Sequence, residues 1–248
     1  METGKQVDTE YASRFLQQIF HPSSFRRPMT TRVPIVEKIL SANDRTAEEN
    51  RARIESAGVF SINLMASPGA GKTSLIEQTL PRLKDTLRVA VIDGDIATSI
   101  DSDRAAAAGA QTAIQINTGG DCHLDAVMLR GALEQLDLTQ FNLLIVENVG
   151  NLVCPASFKL GTHKSVLVAS IPEGDDKPYK YPGMYRGVDA LVINKIDLLP
   201  YIPFNMDYFE RGVEVLNPGV VTFPLSCKTG EGMEVWTDWL VNHVKNKR

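Results

Sequence analysis

A glycine-rich segment in the first third of the chain combines residue types that suit phosphate binding. It reads Ser-Pro-Gly-Ala-Gly-Lys-Thr over residues 67–73 and follows a short apolar run at residues 62–65. Glycines allow backbone N–H groups to turn inward around phosphate oxygens, and a helix that begins there adds the positive end of its dipole. Lys72 can bridge terminal phosphates, and the Thr73 hydroxyl can hold Mg²⁺. The segment predicts a nucleotide-binding loop between a strand and a helix.

This segment departs from the usual G-x-x-x-x-G-K-[ST] pattern at one position, where Ala66 replaces the first glycine. A glycine-rich turn that binds nothing is the alternative. Lys and Thr both follow Gly71 in register, so nucleotide binding is the working hypothesis. The residues predicted to contact the nucleotide phosphates are Pro68, Gly69, Ala70, Gly71, Lys72, Thr73 and Ser74.

A second motif, Asn194-Lys195-Ile196-Asp197, follows the apolar run at residues 190–193 and predicts a base-binding loop. Asp197 can accept hydrogen bonds from both N1–H and the exocyclic amine of guanine, a pairing that adenine cannot reproduce. Alone, such a tetrapeptide is typical of a surface turn, but downstream of a phosphate loop it indicates GTP. Ser226-Cys227-Lys228 is a candidate second base contact, with an ordinary loop after the strand at residues 220–223 as the alternative.

Three carboxylates, at Glu147, Asp101 and Asp95, are candidates for holding Mg²⁺ or a water molecule beside Thr73. Glu147 opens the sequence Glu-Asn-Val-Gly at residues 147–150, where GTPases usually have Asp-x-x-Gly. It is therefore the first candidate, followed by Asp101 and then Asp95. A solvated loop carboxylate is the alternative for each. The predicted catalytic set is Lys72, Thr73 and Glu147.

Two cysteines and a histidine form a candidate metal site. Cys122 and His123 are adjacent at the start of a predicted helix, and Cys154 lies in a proline-containing loop after another strand. Thiolate and imidazole ligands suit zinc or nickel. Three ligands do not close a tetrahedral site, so a two-fold dimer could combine two sets, or water could complete the coordination. Cysteines that serve only as small buried hydrophobic residues are the alternative.

The overall composition limits the classes of partner. A chain of 248 residues with 43% hydrophobic residues can bury one core, and its net charge of −4 leaves no excess of Lys and Arg for nucleic acid. Three cysteines fit a reducing compartment better than a disulfide framework. No apolar run is long enough to span a membrane, and residues 1–20 lack a signal-peptide core. We therefore expect a soluble, cytoplasmic protein with no nucleic-acid or membrane partner.

Strands alternate with helices along the chain, which predicts a largely parallel sheet covered on both faces. The strands are expected at residues 62–65, 88–92, 112–116, 142–146, 165–170, 190–193 and 220–223. The helices between and after them are expected at residues 74–83, 105–108 and 124–136, before the last strand, and at residues 233–244. In this arrangement the glycine-rich loop, the carboxylates and the base-binding motif all follow strands, so they should meet at the carboxyl edge of the sheet.

The N-terminal region should precede this domain as two parts. Residues 1–33 mix charges and prolines and are predicted to form a mobile arm, ahead of a GTPase domain over residues 34–248. The domain should begin with a helical extension of two helices. The first starts near Pro34, and the second, capped by Asn43 or Asp44, ends at Gly58.

Several sequence blocks form a combination that is typical of one protein family. The blocks are Ser67-Pro68-Gly69-Ala70-Gly71-Lys72-Thr73, Gly94-Asp95-Ile96, Cys122-His123-Leu124-Asp125-Ala126, the run Glu-Asn-Val-Gly-Asn-Leu-Val-Cys-Pro at residues 147–155, Lys177-Pro178 with Lys180-Tyr181-Pro182, and Asn194-Lys195-Ile196-Asp197. Together, and over the chain from about residue 34 onward, they resemble the hydrogenase nickel-incorporation GTPases of the HypB family. The blocks at Cys122 and Glu147 differ from those of the related urease accessory GTPase.

The resemblance implies an α/β P-loop NTPase fold of the SIMIBI type and a GTPase that uses GTP, GDP and Mg²⁺. It implies nickel delivery during maturation of nickel-iron hydrogenase, with nucleotide-dependent homodimerisation coupled to metal binding. It also implies that Cys122, His123 and Cys154 bind Ni²⁺ or Zn²⁺, and that a HypA-type nickel chaperone and the hydrogenase large subunit are partners. Residues 1–33 contain no cysteine and only His21, so no separate nickel store is expected.

Two competing functions fit parts of the sequence. No glutamine or arginine finger stands out, so turnover should be slow, and a switch that carries metal without useful hydrolysis is one alternative. The other is an ATP-dependent enzyme of the same fold, which the motif at residues 194–197 opposes.

Overall fold

The computed structural model describes residues 35–95 and 100–247. Within them, one sheet of seven parallel strands has the order β3-β2-β4-β1-β5-β6-β7. The strands are β1 (Phe60–Ala66), β2 (Val89–Asp95), β3 (Thr112–Asn117), β4 (Leu143–Glu147), β5 (Lys164–Ser170), β6 (Ala190–Asn194) and β7 (Val221–Pro224). The predicted parallel sheet is confirmed, and the strand ends differ from the predicted ones by only a few residues.

The helices lie on both faces of this sheet. They are α1 (Ile35–Ser56), α2 (Lys72–Leu83), α3 (Ile100–Ala108), α4 (Ala126–Leu133), α5 (Lys177–Lys180), α6 (Pro182–Tyr185), α7 (Met206–Leu216) and α8 (Met233–Asn246). Alternate residues of β1 face opposite layers, since Leu64 packs with α2 and α8 while Met65 packs with α6 and α7. Every residue of β1, β4 and β6 is buried, as expected for strands covered on both faces.

The sheet register brings the predicted functional segments together. Leu64 of β1 pairs with Glu147 of β4, and Ala66 at the end of β1 pairs with Val168 of β5. Because the strands are parallel, the loops that follow them leave from the same edge. The loop after β1 therefore lies beside the loop after β4.

The N-terminal extension differs from its prediction. The structure has one continuous helix, α1, where two helices were predicted, and Asn43 does not cap a second helix. Its buried amide instead donates to the Lys159 carbonyl at 2.9 Å and accepts from Ala126 N–H at 2.9 Å. Asparagine does have the hydrogen-bonding groups of a helix cap, but here the side-chain amide bonds to residues far away in the sequence.

A close contact fixes α1 against the chain that follows β4. Gly161 has φ +91°, and a Cβ there would lie 2.1 Å from the Ala47 carbonyl oxygen of α1. One turn further along α1, the Asn50 amide donates to the carbonyls of Ala126 and Leu160, at 2.8 and 3.0 Å. The helix thus braces both the start of α4 and the segment beyond Cys154.

Other differences are smaller. Helix α4 begins at Ala126 because Asp125 caps it, accepting from Met128 N–H at 2.8 Å, and it ends at Leu133, three residues before the predicted end. The short helices α5 and α6 were not predicted. The predicted arm at residues 1–33 lies outside the described residues. Among the residues that the structure does describe, no helix combines the length and apolar character needed to cross a bilayer.

Candidate functional site

The glycine-rich loop joins β1 to α2 in a conformation that requires its glycines. Gly69 has φ +77° and Gly71 has φ +104°, a region that residues with side chains rarely adopt. A Cβ at Gly71 would also lie 2.4 Å from Nδ2 of Asn194. The tight turn leaves the first N–H groups of α2 at the mouth of a cleft, as phosphate binding needs.

This cleft has a volume of about 450 Å³ and lies at the carboxyl edge of the sheet. Six of the seven predicted phosphate-contacting residues line it, together with Asp95, Glu147 and Lys195. The exception is Ala70, which is fully buried in the core. The remaining lining residues are Arg104, Val149 and Gly150.

The Thr73 hydroxyl donates a hydrogen bond of 2.9 Å to Oε1 of Glu147, which is itself buried at the end of β4. A hydroxyl beside a carboxylate is a pair of oxygens that suits Mg²⁺. Asp95 lies in the same cleft at the end of β2. The side chain of Asp101, in the first turn of α3, lies outside the described part of the chain.

The base-binding motif is tied to the phosphate loop through Asn194 and Lys195. Nδ2 of Asn194 donates to the Ala70 carbonyl at 3.0 Å, while its Oδ1 accepts from the N–H groups of Lys195 and Cys227 at 2.7 and 3.2 Å. Lys195 has φ +65°, and its Nζ donates to the Gly69 carbonyl at 2.7 Å. The two motifs therefore form one connected structure.

The structure also places Asp197 beside the loop at residues 226–228. Oδ1 of Asp197 accepts from the buried hydroxyl of Ser226 at 2.6 Å, and that hydroxyl accepts from Lys228 N–H at 3.2 Å. Cys227 is half-buried, and burial raises the pKa of its thiol to about 11, so the thiol stays protonated at neutral pH. Residues 197 and 226–228 thus form a common wall at the end of the sheet.

The three predicted metal ligands lie together. The Sγ atoms of Cys122 and Cys154 are 3.1 Å apart, and Cys122 Sγ is 3.8 Å from Nδ1 of His123. All three ligand atoms lie within 4.8 Å of one another, about twice a typical metal–ligand bond. The His123 ring packs on Phe158 with centroids 3.9 Å apart. One ion could contact all three residues.

A hydrogen bond joins the thiols of Cys122 and Cys154. The hydrogen bond with Cys122 is the main cause that raises the pKa of Cys154 above its usual value, and burial adds to it. Metal ions bind the thiolate, so binding must displace these protons. The cluster is partly open to solvent, since Cys122 is exposed and Cys154 is half-buried.

Arg104, which lines the cleft, and Glu173, which contacts the start of the phosphate loop, were not predicted to be functional. Arg104 lines the cleft from α3 and pairs with Glu77 through two bonds of 2.8 and 2.7 Å. Glu173 accepts hydrogen bonds from the hydroxyls of Ser67, the first residue of the phosphate loop, and Ser170. Arg104 follows acidic residues on a helix, a pattern typical of solvated surfaces. Glu173 did offer a signal, because it lies just after a buried strand.

The chain is similar to known proteins over most of its length. Residues 60–223 match the CobW/HypB/UreG nucleotide-binding domain family. The chain is 50% identical over 210 residues to hydrogenase maturation factor HypB of Rhizobium leguminosarum bv. viciae, covering 84% of this chain and 70% of that protein. It is 45% identical over 217 residues to hydrogenase maturation factor HypB of Escherichia coli strain K12, covering 88% and 73%.

A solved structure is also similar. The crystal structure of HypB from Helicobacter pylori in complex with nickel has a TM-score of 0.79 and 37% identity to this chain. The match covers 83% of this chain and 96% of that one. Together with the seven-stranded parallel sheet and its glycine-rich loop, this likeness shows a P-loop GTPase fold.

Proposed function

This chain belongs to the HypB family of hydrogenase maturation factors, and from that premise we propose that it is a GTP-hydrolysing metallochaperone that delivers nickel to nickel-iron hydrogenase. The observation that carries the proposal is one short segment. Glu147, which contacts Thr73 of the phosphate loop, lies seven residues before Cys154, which contacts Cys122. A nucleotide site and a metal site are thus joined by a single stretch of chain.

The phosphate loop and Lys72 would hold the nucleotide phosphates, and the wall formed by Asp197 and Ser226 would select guanine. Mg²⁺, when bound, would offset the negative charge of the nucleotide phosphates. Thr73 and Glu147 are the residues proposed to hold it, with Asp95 and Asp101 as further candidates. Lys72 is in position to stabilise negative charge on the terminal phosphate, and Glu147 to orient an attacking water.

Nickel is the proposed cargo, with zinc as the alternative ion. Cys122, His123 and Cys154 supply three ligands, and thiolate and imidazole suit both ions. The nickel complex of the Helicobacter pylori relative supports nickel. We propose that a homodimer formed with GTP completes the coordination, and that a HypA-type chaperone and the hydrogenase large subunit are the donor and acceptor of the ion. Residues 1–33 stay a proposed separate arm.

A direct test measures turnover and metal content together. The purified protein is analysed for co-purified metal, and single-turnover hydrolysis of GTP and ATP is then followed with and without a HypA-type partner. We expect nickel or zinc at the site, GTP hydrolysis and no competition by ATP. Binding of GTP without hydrolysis under either condition would instead favour a non-catalytic switch, and competition by ATP would refute the base-reading role of Asp197.

A further inference from the structure

We propose that Asn148 is a positioning residue that transmits the state of the phosphate site to the metal ligands. The inference rests on the proposed function, in which the two sites are coupled, and it assigns that coupling to one buried amide. Asn148 follows Glu147 and is completely buried. Its own side chain neither lines the cleft nor belongs to the three candidate metal ligands. Its role would be to hold other residues in place.

The segment at residues 147–150 contacts the phosphate loop at two places, one before Asn148 in the sequence and one after it. On one side, Glu147 accepts the hydrogen bond from Thr73. On the other, a Cβ at Gly150 would lie 3.1 Å from Cα of Pro68 and 3.4 Å from Nζ of Lys72. There is little free space between the segment and the loop, so a rearrangement around the terminal phosphate must displace the segment.

The amide of Asn148 links this segment to the loop that carries Cys122 and His123. Its Oδ1 accepts from Leu124 N–H at 3.0 Å and from Val149 N–H at 2.9 Å. Its Nδ2 donates to Oδ1 of Asn63 in β1 at 3.2 Å. The chain beyond His123 is therefore hydrogen-bonded to the residue next to Glu147, and both are tied to the central strand.

Leu124 cannot easily absorb a movement of Asn148 without moving its neighbours. Its side chain is fully buried and packs over Gly94 of β2, where a Cβ would lie 2.6 Å from Cγ of Leu124. Buried cores are close-packed, so such a wedged side chain moves together with the chain to which it is bonded. A shift of Asn148 should therefore reach His123 and Cys122.

The third ligand is held from the same segment by a second asparagine. Oδ1 of Asn151 accepts from the N–H groups of Val153 and Cys154, at 2.8 and 3.4 Å. The Asn151 N–H donates to the carbonyl of Ala66, just before the phosphate loop, at 2.8 Å. Both ligand-bearing loops are thus hydrogen-bonded to residues 148–151. The bond from Asn148 spans more of the sequence, 24 residues to Leu124, and it reaches the loop that carries Cys122 and His123.

The experiment compares the nickel affinity of two nucleotide states in the full chain and in Asn148→Ala. Ni²⁺ is titrated against a competing chelator with saturating GDP and with a non-hydrolysable GTP analogue. We expect the ratio of the two affinities in the parent, about 5-fold or more, to fall close to one in the variant. The affinity for GTP should change by less than about 3-fold, because the phosphate contacts remain.

The matched control is Asn217→Ala. The Asn217 amide also makes hydrogen bonds to residues distant in sequence, donating to the carbonyls of Tyr185 and Val188 at 3.1 and 2.7 Å, but on another part of the molecule. It should keep the parent ratio. If Asn148→Ala fails to fold, Asn148→Ser serves the same purpose, because its shorter side chain cannot reach Leu124 and its hydroxyl keeps the site polar.

The outcomes separate this inference from the proposed function. A parent ratio above one that persists in folded Asn148→Ala or Asn148→Ser overturns the role of Asn148 and leaves the coupling itself intact. An equal loss of nickel affinity in both nucleotide states also overturns it, since the amide would then only support the ligand site. A parent ratio of one refutes the coupling in the proposed function and the inference with it.

Discussion

At the scale of residues, the predicted base-binding motif and the phosphate loop are held together by the same side chains. Asn194 and Lys195, which belong to the base-binding motif, donate hydrogen bonds to the carbonyls of Ala70 and Gly69 in the phosphate loop. A change at the base wall therefore affects how the glycine-rich loop is held. Because of this, substitutions meant to test one function should retain the polar atoms that serve the other.

Lys72→Ala should lower single-turnover GTP hydrolysis by about 100-fold or more, because a preorganised charge at the terminal phosphate is lost. Lys72 lines the cleft, so the free energy of unfolding should change by less than about 1 kcal/mol. The control is Lys84→Ala, an exposed lysine at the other end of α2, which should behave as the parent. Undiminished turnover in a folded Lys72→Ala protein would contradict the assignment.

Asp197→Asn should weaken GTP binding by about 10- to 100-fold, since it removes a charged acceptor for guanine. The amide can donate to the 2-oxo group of xanthine, so XTP should compete better than in the parent. Its oxygen can still accept from Ser226, which should preserve the loop. Competition between GTP and XTP measures the preference. An unchanged preference would mean that Asp197 does not read the base.

Residue types and spacing predicted most of the residues that line the cleft, and they proposed Cys122, His123 and Cys154, which do lie together, as a candidate metal site. They could not predict Asn148 or Arg104. The significance of Asn148 lies in a hydrogen bond to Leu124, which is 24 residues away in the sequence. Such pairings depend on how the loops pack, and no local sequence pattern around a loop asparagine predicts them.

At the scale of elements, α1 packs against the segments next to the loops that carry Cys122, His123 and Cys154. It was predicted as two helices, because Asn43 resembles a cap and charges dominate the second half of its sequence. The structure shows that Asn43 and Asn50 are buried and reach the start of α4 and residues 159–160. Helical periodicity could predict that helix is present here, but it could not predict which polar residues would be buried by long-range contacts.

Asn50→Ala should reduce the free energy of unfolding by about 1–3 kcal/mol, because the carbonyls of Ala126 and Leu160 lose their buried donor. Denaturation in urea, followed by circular dichroism, measures the change. Glu48→Ala, on the exposed surface of the same helix, is the control and should shift it by no more than about 0.5 kcal/mol. Equal stability of the two variants would show that α1 does not brace the site in this way.

His163, just before β5, should make stability depend on pH. Its ring accepts from Ser61 N–H at 3.1 Å, and burial, followed by the Lys247 charge, lowers its pKa from 6.5 to about 4. The folded state therefore keeps the ring neutral while the unfolded chain takes up a proton. The free energy of unfolding should fall as pH drops from 6.5 to about 4. Below about pH 4 both states bind the proton, so His163 should cause no further fall.

The measurement for this prediction is the difference between the parent and His163→Gln across that pH range. The variant lacks the titrating ring, so its stability should lose less between pH 6.5 and about 4 than that of the parent. Parallel curves for the two proteins would contradict the assignment of a neutral, buried His163.

At the scale of the whole molecule, the parallel sheet places a candidate nucleotide site and a candidate metal site along one edge. The phosphate loop follows β1, and the loop at residues 148–154 follows the adjacent strand β4. This loop reaches from the carboxylate next to Thr73 to the thiol of Cys154. A GTPase that carries metal needs such a connection, because binding energy at one site can favour the other only through a shared structural change.

The coupling must be reciprocal, so nickel should favour whatever assembly GTP favours. The most direct test is sedimentation analysis of the protein with a non-hydrolysable GTP analogue, in the presence and absence of Ni²⁺. The account predicts that nickel tightens the GTP-dependent dimer, and that Cys154→Ala abolishes this effect while its monomer binds GTP as the parent does. A dimer whose affinity is the same with and without nickel would contradict the account.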